Sequence, residues 1–102
     1  MENQVNQQAT EWVFVPVKKE HIIKRTETYV LLDVDGIANG IITSKFLRKK
    51  ESEEYVYFSI PNTYSINCNV RKQINGKWTT TESYKLTAYQ FRDVVLEYNK
   101  LF

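Results

Sequence analysis

Residues 64–84 constrain the fold more than any other segment, because they have the pattern of a β-hairpin closed by Asn75 and Gly76. This dipeptide tolerates the two positive φ angles of a type I′ turn, and a two-residue loop determines which residues of the two strands face each other. The predicted pairs are Ile74 with Lys77, Gln73 with Trp78, Lys72 with Thr79, Arg71 with Thr80, Asn69 with Glu82 and Asn67 with Tyr84. We therefore expect an antiparallel sheet that includes this hairpin.

The side chains of this hairpin divide into an apolar face and a polar face, because successive residues of a strand point to opposite sides. The apolar face has the composition of a core and carries Tyr64, Ile66, Cys68, Val70 and Ile74. The polar face carries Asn67, Asn69, Arg71, Gln73, Trp78 and Tyr84. Two large aromatic rings are thus predicted among amides and a guanidinium, on the side that the core does not use. We interpret the polar face as a candidate recognition surface.

The other segments predict a small β-rich α+β domain. Strand patterns cover residues 12–17, 28–34, 37–43 and 55–60, ahead of the hairpin. Thr87 and Gln90 match a capping box, and an apolar stripe with helical spacing follows: Phe91, Val94, Val95, Tyr98 and Phe102. The expected architecture is a curled antiparallel sheet or a partly open barrel, with a C-terminal helix packed on it.

Three residues predict local features of this architecture. Pro16 cannot donate a ladder hydrogen bond, so its strand is expected to lie at an edge or to end there. Gly40, inside the third strand, suggests a bulge or a sharp bend. Ser44 has the character of a cap for a single helical turn.

Length and composition indicate one domain. Residues 1–10 are polar and rich in Asn and Gln, which predicts a flexible tail and leaves residues 11–102 as the folded unit. The tail lacks the apolar run of a secretory signal, and no segment is long enough to cross a membrane. A single cysteine excludes an internal disulfide and fits a reducing compartment. We expect a soluble, cytoplasmic protein without membrane partners.

No group of residues has a catalytic or metal-binding pattern. His21 is the only histidine, and no activated nucleophile is marked beside it. Asp33 and Asp35 share a strand face, as a Mg²⁺ site requires, but they directly precede Gly36, where aspartate is an ordinary turn residue. The three glycines form neither a dinucleotide fingerprint nor a P-loop. We expect no enzyme activity, no cofactor, no metal and no small-molecule substrate.

Aromatic and cationic side chains remain as the candidate site. The predicted platform is Arg71, Trp78 and Tyr84, extended by Tyr55 and Tyr57, with electrostatic support from Lys45, Arg48, Lys49 and Lys50. Stacking of a nucleobase on an aromatic ring contributes ~1–3 kcal/mol, and neighbouring cations neutralise phosphates. Two other interpretations stay open: Trp78 packs under the 45–50 loop or against the tail as an ordinary structural residue, or the same aromatics form a protein interface.

The chain also resembles small accessory proteins encoded by phages and mobile elements of low-GC Gram-positive bacteria. The similar features are the Asn/Gln-rich start, residues 26–33 (TETYVLLD), residues 41–47 (IITSKFL) and the Lys-containing hairpin, across about residues 12–95. Within that group it is most similar to the short products of replication modules in staphylococcal chromosome cassettes. The resemblance implies a DNA-replication context and a macromolecular partner, and it assigns no role to an individual residue.

Two functions follow as expectations. The first is a non-enzymatic accessory protein of DNA replication, binding single-stranded DNA or a polymerase or helicase through the Trp78 side of the hairpin. The second is a protein-only inhibitor or adaptor that docks on a host or element-encoded enzyme. A net charge of only +2 favours the second, because dedicated nucleic-acid binders are usually more basic.

Overall fold

The hairpin turn has the predicted conformation in a computed structural model that describes residues 10–102. Asn75 and Gly76 have φ angles of 53° and 81°, which are the positive values that a type I′ turn requires. The predicted flexible tail lies outside the described residues, apart from Thr10.

Within residues 10–102, seven strands form two antiparallel sheets, and one helix follows them. The elements are β1 (Trp12–Lys18), β2 (Ile22–Arg25), β3 (Tyr29–Asp33), β4 (Ala38–Thr43), β5 (Tyr55–Pro61), β6 (Ser65–Ile74), β7 (Lys77–Thr87) and α1 (Ala88–Leu101), with 3₁₀ turns at Lys19–His21 and Ser44–Phe46. Strand β1 pairs with β5, and the other strands lie in the order β2-β3-β4-β6-β7. Neither sheet closes, so the α+β class is confirmed as two open sheets with a C-terminal helix.

One core lies between the two sheets and the helix. Its alternating strand residues are Val13, Val15 and Val17 from β1, Val56, Phe58 and Ile60 from β5, and Ile66, Cys68 and Val70 from β6. Val30, Leu32 and Ile42 join them from β3 and β4, and Phe91 and Val95 from α1. Because the inner faces of both sheets contribute to this core, their outer faces point away from each other.

Helix α1 begins at the predicted capping box and is tied to β1. The Gln90 backbone N–H donates to Thr87 Oγ1 at 3.1 Å, and the Thr87 backbone N–H donates to Gln90 Oε1 at 3.0 Å. The Asn99 side chain donates to the carbonyl oxygen of Pro16 at 3.0 Å. Strand β1 has β5 as its one strand neighbour among the described residues, which confirms the edge position predicted from Pro16.

A β-bulge changes the register of the hairpin. The predicted pairs from the turn back to Arg71 with Thr80 are confirmed, but the next pairs are wrong, because the register shifts between Val70 and Arg71. Thr81 is the extra residue, and beyond it the pairs are Val70 with Glu82, Asn69 with Ser83, Cys68 with Tyr84 and Asn67 with Lys85. Counting in steps of two cannot detect an extra residue, so every partner past the bulge was displaced by one position.

Gly40 marks a close approach between strands, and the predicted bulge or bend at this position is wrong. Gly40 pairs regularly with Leu32 on one side and Cys68 on the other. A Cβ atom at this position would lie 2.9 Å from Val34 Cγ2, which is closer than two carbon atoms can approach. The absence of a side chain therefore lets the Val34 side chain lie against the β4 backbone.

We expect Gly40→Ala to lower the free energy of unfolding by about 1–3 kcal/mol, because the added methyl group overfills a closed part of the core. Urea denaturation measures this change. In a Val34→Ala background the clashing methyl groups are gone, so the same substitution should cost less there. An equal cost in both backgrounds would contradict the assigned contact.

The single helical turn expected after β4 is present as a 3₁₀ turn, but its cap is one residue earlier than predicted. Thr43 Oγ1 accepts from the Lys45 N–H at 3.4 Å. Ser44 instead donates its hydroxyl to the carbonyl oxygen of Thr26 at 2.9 Å. The two hydroxyl residues are adjacent, so the composition alone could not distinguish the cap from a tertiary contact.

Candidate nucleic-acid interface

The hairpin continues beyond the core as a two-stranded ribbon, which we define as residues 71–81, the part beyond the bulge. Every side chain from residue 71 to residue 85 is exposed, on both faces of the strands. The molecule measures 60 Å along its longest axis and 32 and 28 Å along the others. An isolated two-stranded ribbon is only marginally stable in water. An exposed ribbon of this kind is therefore a candidate binding element.

Trp78 is the largest exposed side chain of the ribbon. Its exposed fraction is 63%, which excludes a place in the core. It lies across from Gln73 and lines an open groove of about 370 Å³ together with Arg71 and Asn39. The platform predicted from Arg71 and Trp78 is therefore brought together in the structure.

Two exposed isoleucines that we did not predict also line this groove. Ile23 lies in β2, and Ile37 follows the Gly36 turn between β3 and β4. Both isoleucines have more than half of their surface exposed. The sequence signal for Ile37 is its position directly after the turn residue Gly36, and neither isoleucine belongs to the aromatic and charged pattern that marks the platform. The groove thus has an apolar wall beside the indole ring.

Positive charge is concentrated on the hairpin. Between residues 65 and 87 there are four cations, Arg71, Lys72, Lys77 and Lys85, and one acid, Glu82. The hairpin therefore has an excess of three positive charges, whereas the whole chain has a net charge of +2. The low overall charge is therefore the sum of a basic hairpin and a slightly acidic remainder of the chain. A phosphate backbone responds to the local excess of positive charge and not to the overall sum.

Tyr84 does not belong to the Trp78 face, which corrects the sequence prediction. It lies opposite Cys68 on the side of the sheet that faces the core. Burial raises the pKa of Tyr84, and the charges of Asp35, Cys68 and Glu82 make smaller contributions in the same direction. The bulge at Thr81 is the physical reason, because it turns all later side chains of β7 to the other face.

The lone cysteine is a buried apolar residue. Cys68 is fully buried in the core, and desolvation raises the pKa of its thiol to about 11. A thiol with that pKa is protonated at neutral pH and is a poor nucleophile.

Tyr55 and Tyr57 lie on the other sheet, so the prediction that they extend the Trp78 surface is wrong. They are on the outer face of β5. There the Tyr57 ring stacks on the Phe14 ring and on the Tyr55 ring, with centroid distances of 5.4 Å and 6.4 Å. These three rings, with Leu96 and Lys100 of α1, line a second open groove of about 640 Å³. Alternation shows that two residues share a strand face, but it does not show which sheet contains the strand.

The basic loop of residues 45–50 lies beside β5 and not beside Trp78. Arg48 donates its backbone N–H to the Tyr57 carbonyl at 2.8 Å and its guanidinium to Ser59 Oγ at 3.0 Å. Lys45, Lys49 and Lys50 are exposed on the same loop. The predicted support of the Trp78 platform by these four cations is therefore wrong, and so is the alternative in which this loop covers Trp78.

Glu51 connects the end of this loop to two cations elsewhere in the chain. Arg25 Nη2 lies 2.7 Å from Glu51 Oε2, and Lys19 Nζ lies 3.0 Å from Glu51 Oε1. The hydrogen bond from Arg25, and then that from Lys19, lowers the pKa of Glu51 from 4.5 to about 2. A carboxyl whose pKa is lower in the folded state stabilises the fold above its unfolded pKa, and this contribution is lost as the pH falls toward the folded value.

We therefore expect Glu51→Gln to lower the thermal midpoint at pH 7, with the difference from the wild type shrinking as the pH falls from 4.5 to about 2. Thermal unfolding followed by circular dichroism across this window measures the effect. Glu53→Gln, at an exposed acid two residues after Glu51, is the matched control. A wild-type advantage that stays constant through the window would contradict the ion pairs.

The aspartates before Gly36 are turn residues, as the sequence indicated. Asp33 Oδ1 accepts from the Gly36 N–H at 2.8 Å, and Asp35 Oδ1 accepts from the N–H groups of Ile37 and Ala38. Asp33 Oδ2 also accepts from the Tyr98 hydroxyl at 2.8 Å. Burial, and then this hydrogen bond, raises the pKa of Tyr98 to about 12. Within residues 10–102 no cluster of His, Cys, Asp or Glu has the arrangement of a metal site.

His21 is a packing residue in the described structure. It is buried at the 3₁₀ turn after β1, and its ring lies 4.4 Å from the Tyr98 ring, measured between centroids. The pair joins that turn to the C-terminal half of α1.

These observations define a small α+β protein with two open antiparallel sheets, a C-terminal helix and a projecting basic ribbon. Comparison with protein-family models, with curated proteins and with solved structures finds no significant match to this chain. In the part of the chain that the structure describes, α1 and the shorter helical turns fall below the length and apolar character that a bilayer-spanning helix needs.

Proposed function

We propose that this chain is a non-enzymatic protein that binds single-stranded nucleic acid through the Trp78 face of its ribbon. The observation that carries the proposal is an indole ring, 63% exposed, beside Arg71 on an arm with an excess of positive charge. A base stacked on Trp78 and phosphates held by the ribbon cations are the two elements of sequence-tolerant single-strand binding.

The outer face next to Trp78 is suited to bases that are not paired. Asn39, Asn67 and Gln73 lie on this face and offer amide donors and acceptors to exposed base edges. The Ser83 hydroxyl donates to Asn69 Oδ1 at 2.8 Å, which holds one further amide in place. In a duplex the bases are stacked on each other, and a single indole ring could reach them only after unstacking.

The proposed setting is DNA replication, with a polymerase or helicase as the protein that acts on the same strand. Its support is the resemblance to small products of replication modules. In this role the chain would hold or protect a single strand and carry out no chemistry itself.

Fluorescence anisotropy with a labelled thymidine homopolymer is the test, carried out at two salt concentrations. We expect binding that weakens as salt increases, because cations that neutralise phosphates release condensed counterions. The same sequence annealed to its complement should bind more weakly. Absence of binding at high micromolar protein, or equal affinity for single and double strands, would overturn the proposal.

A protein interface on the outer face of β1 and β5 is the second candidate function. The observation in its favour is the row of stacked rings formed by Phe14, Tyr57 and Tyr55, beside Leu96 of α1. Aromatic residues are enriched in the buried centres of protein interfaces. A stoichiometric partner that survives nuclease treatment, and that is lost with Tyr57→Ala but kept with Trp78→Ala, would favour this function.

A further inference from the structure

Strand β7 forms the outer edge of the larger sheet, and this edge is open. It runs from Lys77 to Thr87, and no strand in the described range lies on the side away from β6. An open edge presents unpaired N–H and C=O groups that another strand can pair with. Pairing with a further strand would stabilise the ribbon most of all, because its two strands have no core beneath them.

The register with β6 assigns each side chain of β7 to a face. With Thr81 as the extra residue, Lys77, Thr79, Glu82 and Tyr84 lie opposite Ile74, Lys72, Val70 and Cys68, on the face toward the core. Trp78, Thr80, Ser83 and Lys85 lie opposite Gln73, Arg71, Asn69 and Asn67, on the outer face. Lys77 and Glu82 are therefore the charged residues on the inner face of β7.

We propose that two copies of the chain pair antiparallel through the open edges of their β7 strands, with Thr79 at the two-fold axis. Residues that face each other across an antiparallel pair must lie on the same face of the sheet. Counted in ladder steps, this register places Lys77 opposite Glu82 of the partner copy, and the two-fold axis repeats the contact. Trp78 then lies opposite Thr80 of the partner copy.

Charge complementarity selects this register over its neighbours. A register that brought Glu82 opposite Lys85 would match an inner-face residue with an outer-face residue, which the pleat does not allow. A register that brought Lys77 opposite Lys85 has the same fault and is also repulsive. The Thr79-centred register alone pairs the acid of β7 with a lysine on the same face.

The pairing is also sterically open. Its overlap is confined to residues 77–82, next to the turn at Asn75 and Gly76, so the two cores lie at opposite ends of the assembly. The two ribbons become one four-stranded sheet, with Trp78 of both copies on the same outer face. The inference does not depend on the proposed nucleic-acid function, because it needs only the strand edge and its charges.

Sedimentation equilibrium of the full chain without nucleic acid is the test. The short overlap predicts a weak dimer, with a dissociation constant on the order of tens to hundreds of micromolar. Glu82→Lys or Lys77→Glu alone places like charges opposite each other twice, and each variant should weaken the dimer about tenfold. The double variant, with Lys77→Glu and Glu82→Lys together, restores opposite charges and should return to within about threefold of the wild type.

Lys85→Glu is the matched control for Lys77→Glu. It makes the same change in net charge on the same strand, but on the outer face and outside the overlap, so it should leave the dimer unchanged. A chain that stays monomeric at millimolar concentration overturns the proposal. A dimer that ignores both single reversals, or that the double variant fails to restore, overturns it as well.

Discussion

Replacing Phe91 by alanine is expected to lower the free energy of unfolding by about 3–5 kcal/mol. Phe91 is fully buried where α1 meets the core, so the substitution removes its contacts and leaves a cavity. The loss is a large part of the ~5–15 kcal/mol that stabilises a typical domain. Urea denaturation followed by circular dichroism measures it, and partial unfolding at low urea is the expected sign.

Phe102→Ala is the control for this prediction. Phe102 directly follows the same helix but is 67% exposed, so its removal should cost less than about 1 kcal/mol. If the two variants had equal midpoints, α1 would not be packed on the sheets as the structure describes. The result also bears on the ribbon, because α1 follows β7 directly after Thr87, and its attachment holds the base of the hairpin.

Replacing Trp78 by alanine is expected to weaken binding to single-stranded DNA by ~1–3 kcal/mol, which is the contribution of one stacked base. This corresponds to a loss of affinity of roughly 5- to 150-fold in an anisotropy titration. The free energy of unfolding should change by less than about 1 kcal/mol, because the side chain is exposed. Trp78→Ala should therefore lower the affinity for DNA and leave the fold stable. Phe91→Ala, by contrast, should lower the free energy of unfolding.

Trp12→Ala is a closely matched control, since the chain has two tryptophans and their exposed fractions are 62% and 63%. Trp12 lies on β1, in the other sheet, so its removal should leave the affinity for DNA unchanged. Equal losses from both variants would indicate nonspecific contact with exposed indole rings. A loss with Trp12→Ala alone would move the binding surface to the β1 and β5 face.

The candidate site was predicted from the sequence in part. Arg71 and Trp78 were correctly placed together because the Asn75-Gly76 turn lies close to them and determines the register locally. Tyr84 was placed on the wrong face because it lies beyond the bulge, where a single extra residue reverses the alternation. Residues between the turn and the bulge keep the register that the turn determines, and residues beyond the bulge do not.

Tyr55, Tyr57 and the loop of residues 45–50 were assigned to the Trp78 surface for a different reason. Their strand was predicted correctly, and so was the face that the tyrosines share. The partner of β5 is β1, which is distant in sequence, so no local pattern indicates that these strands form a separate sheet. Ile23 and Ile37 reach the same groove from β2 and from the β3–β4 turn, which are both far from Trp78 in sequence, so no local pattern connects them to it.

By itself, the sequence determined the elements whose causes are local. These are the hairpin turn, the capping box at Thr87 and Gln90, the turn aspartates before Gly36 and the apolar alternation of the strands. Each depends on φ preferences, on short-range hydrogen bonds or on the two-residue period of a strand.

Only the tertiary structure decided which strands share a sheet, where the bulge falls, why position 40 must be glycine and which aromatics lie on opposite sides of the molecule. These features depend on contacts between segments far apart in the chain. Such contacts are selected by how well the whole core packs, and no single segment contains that information.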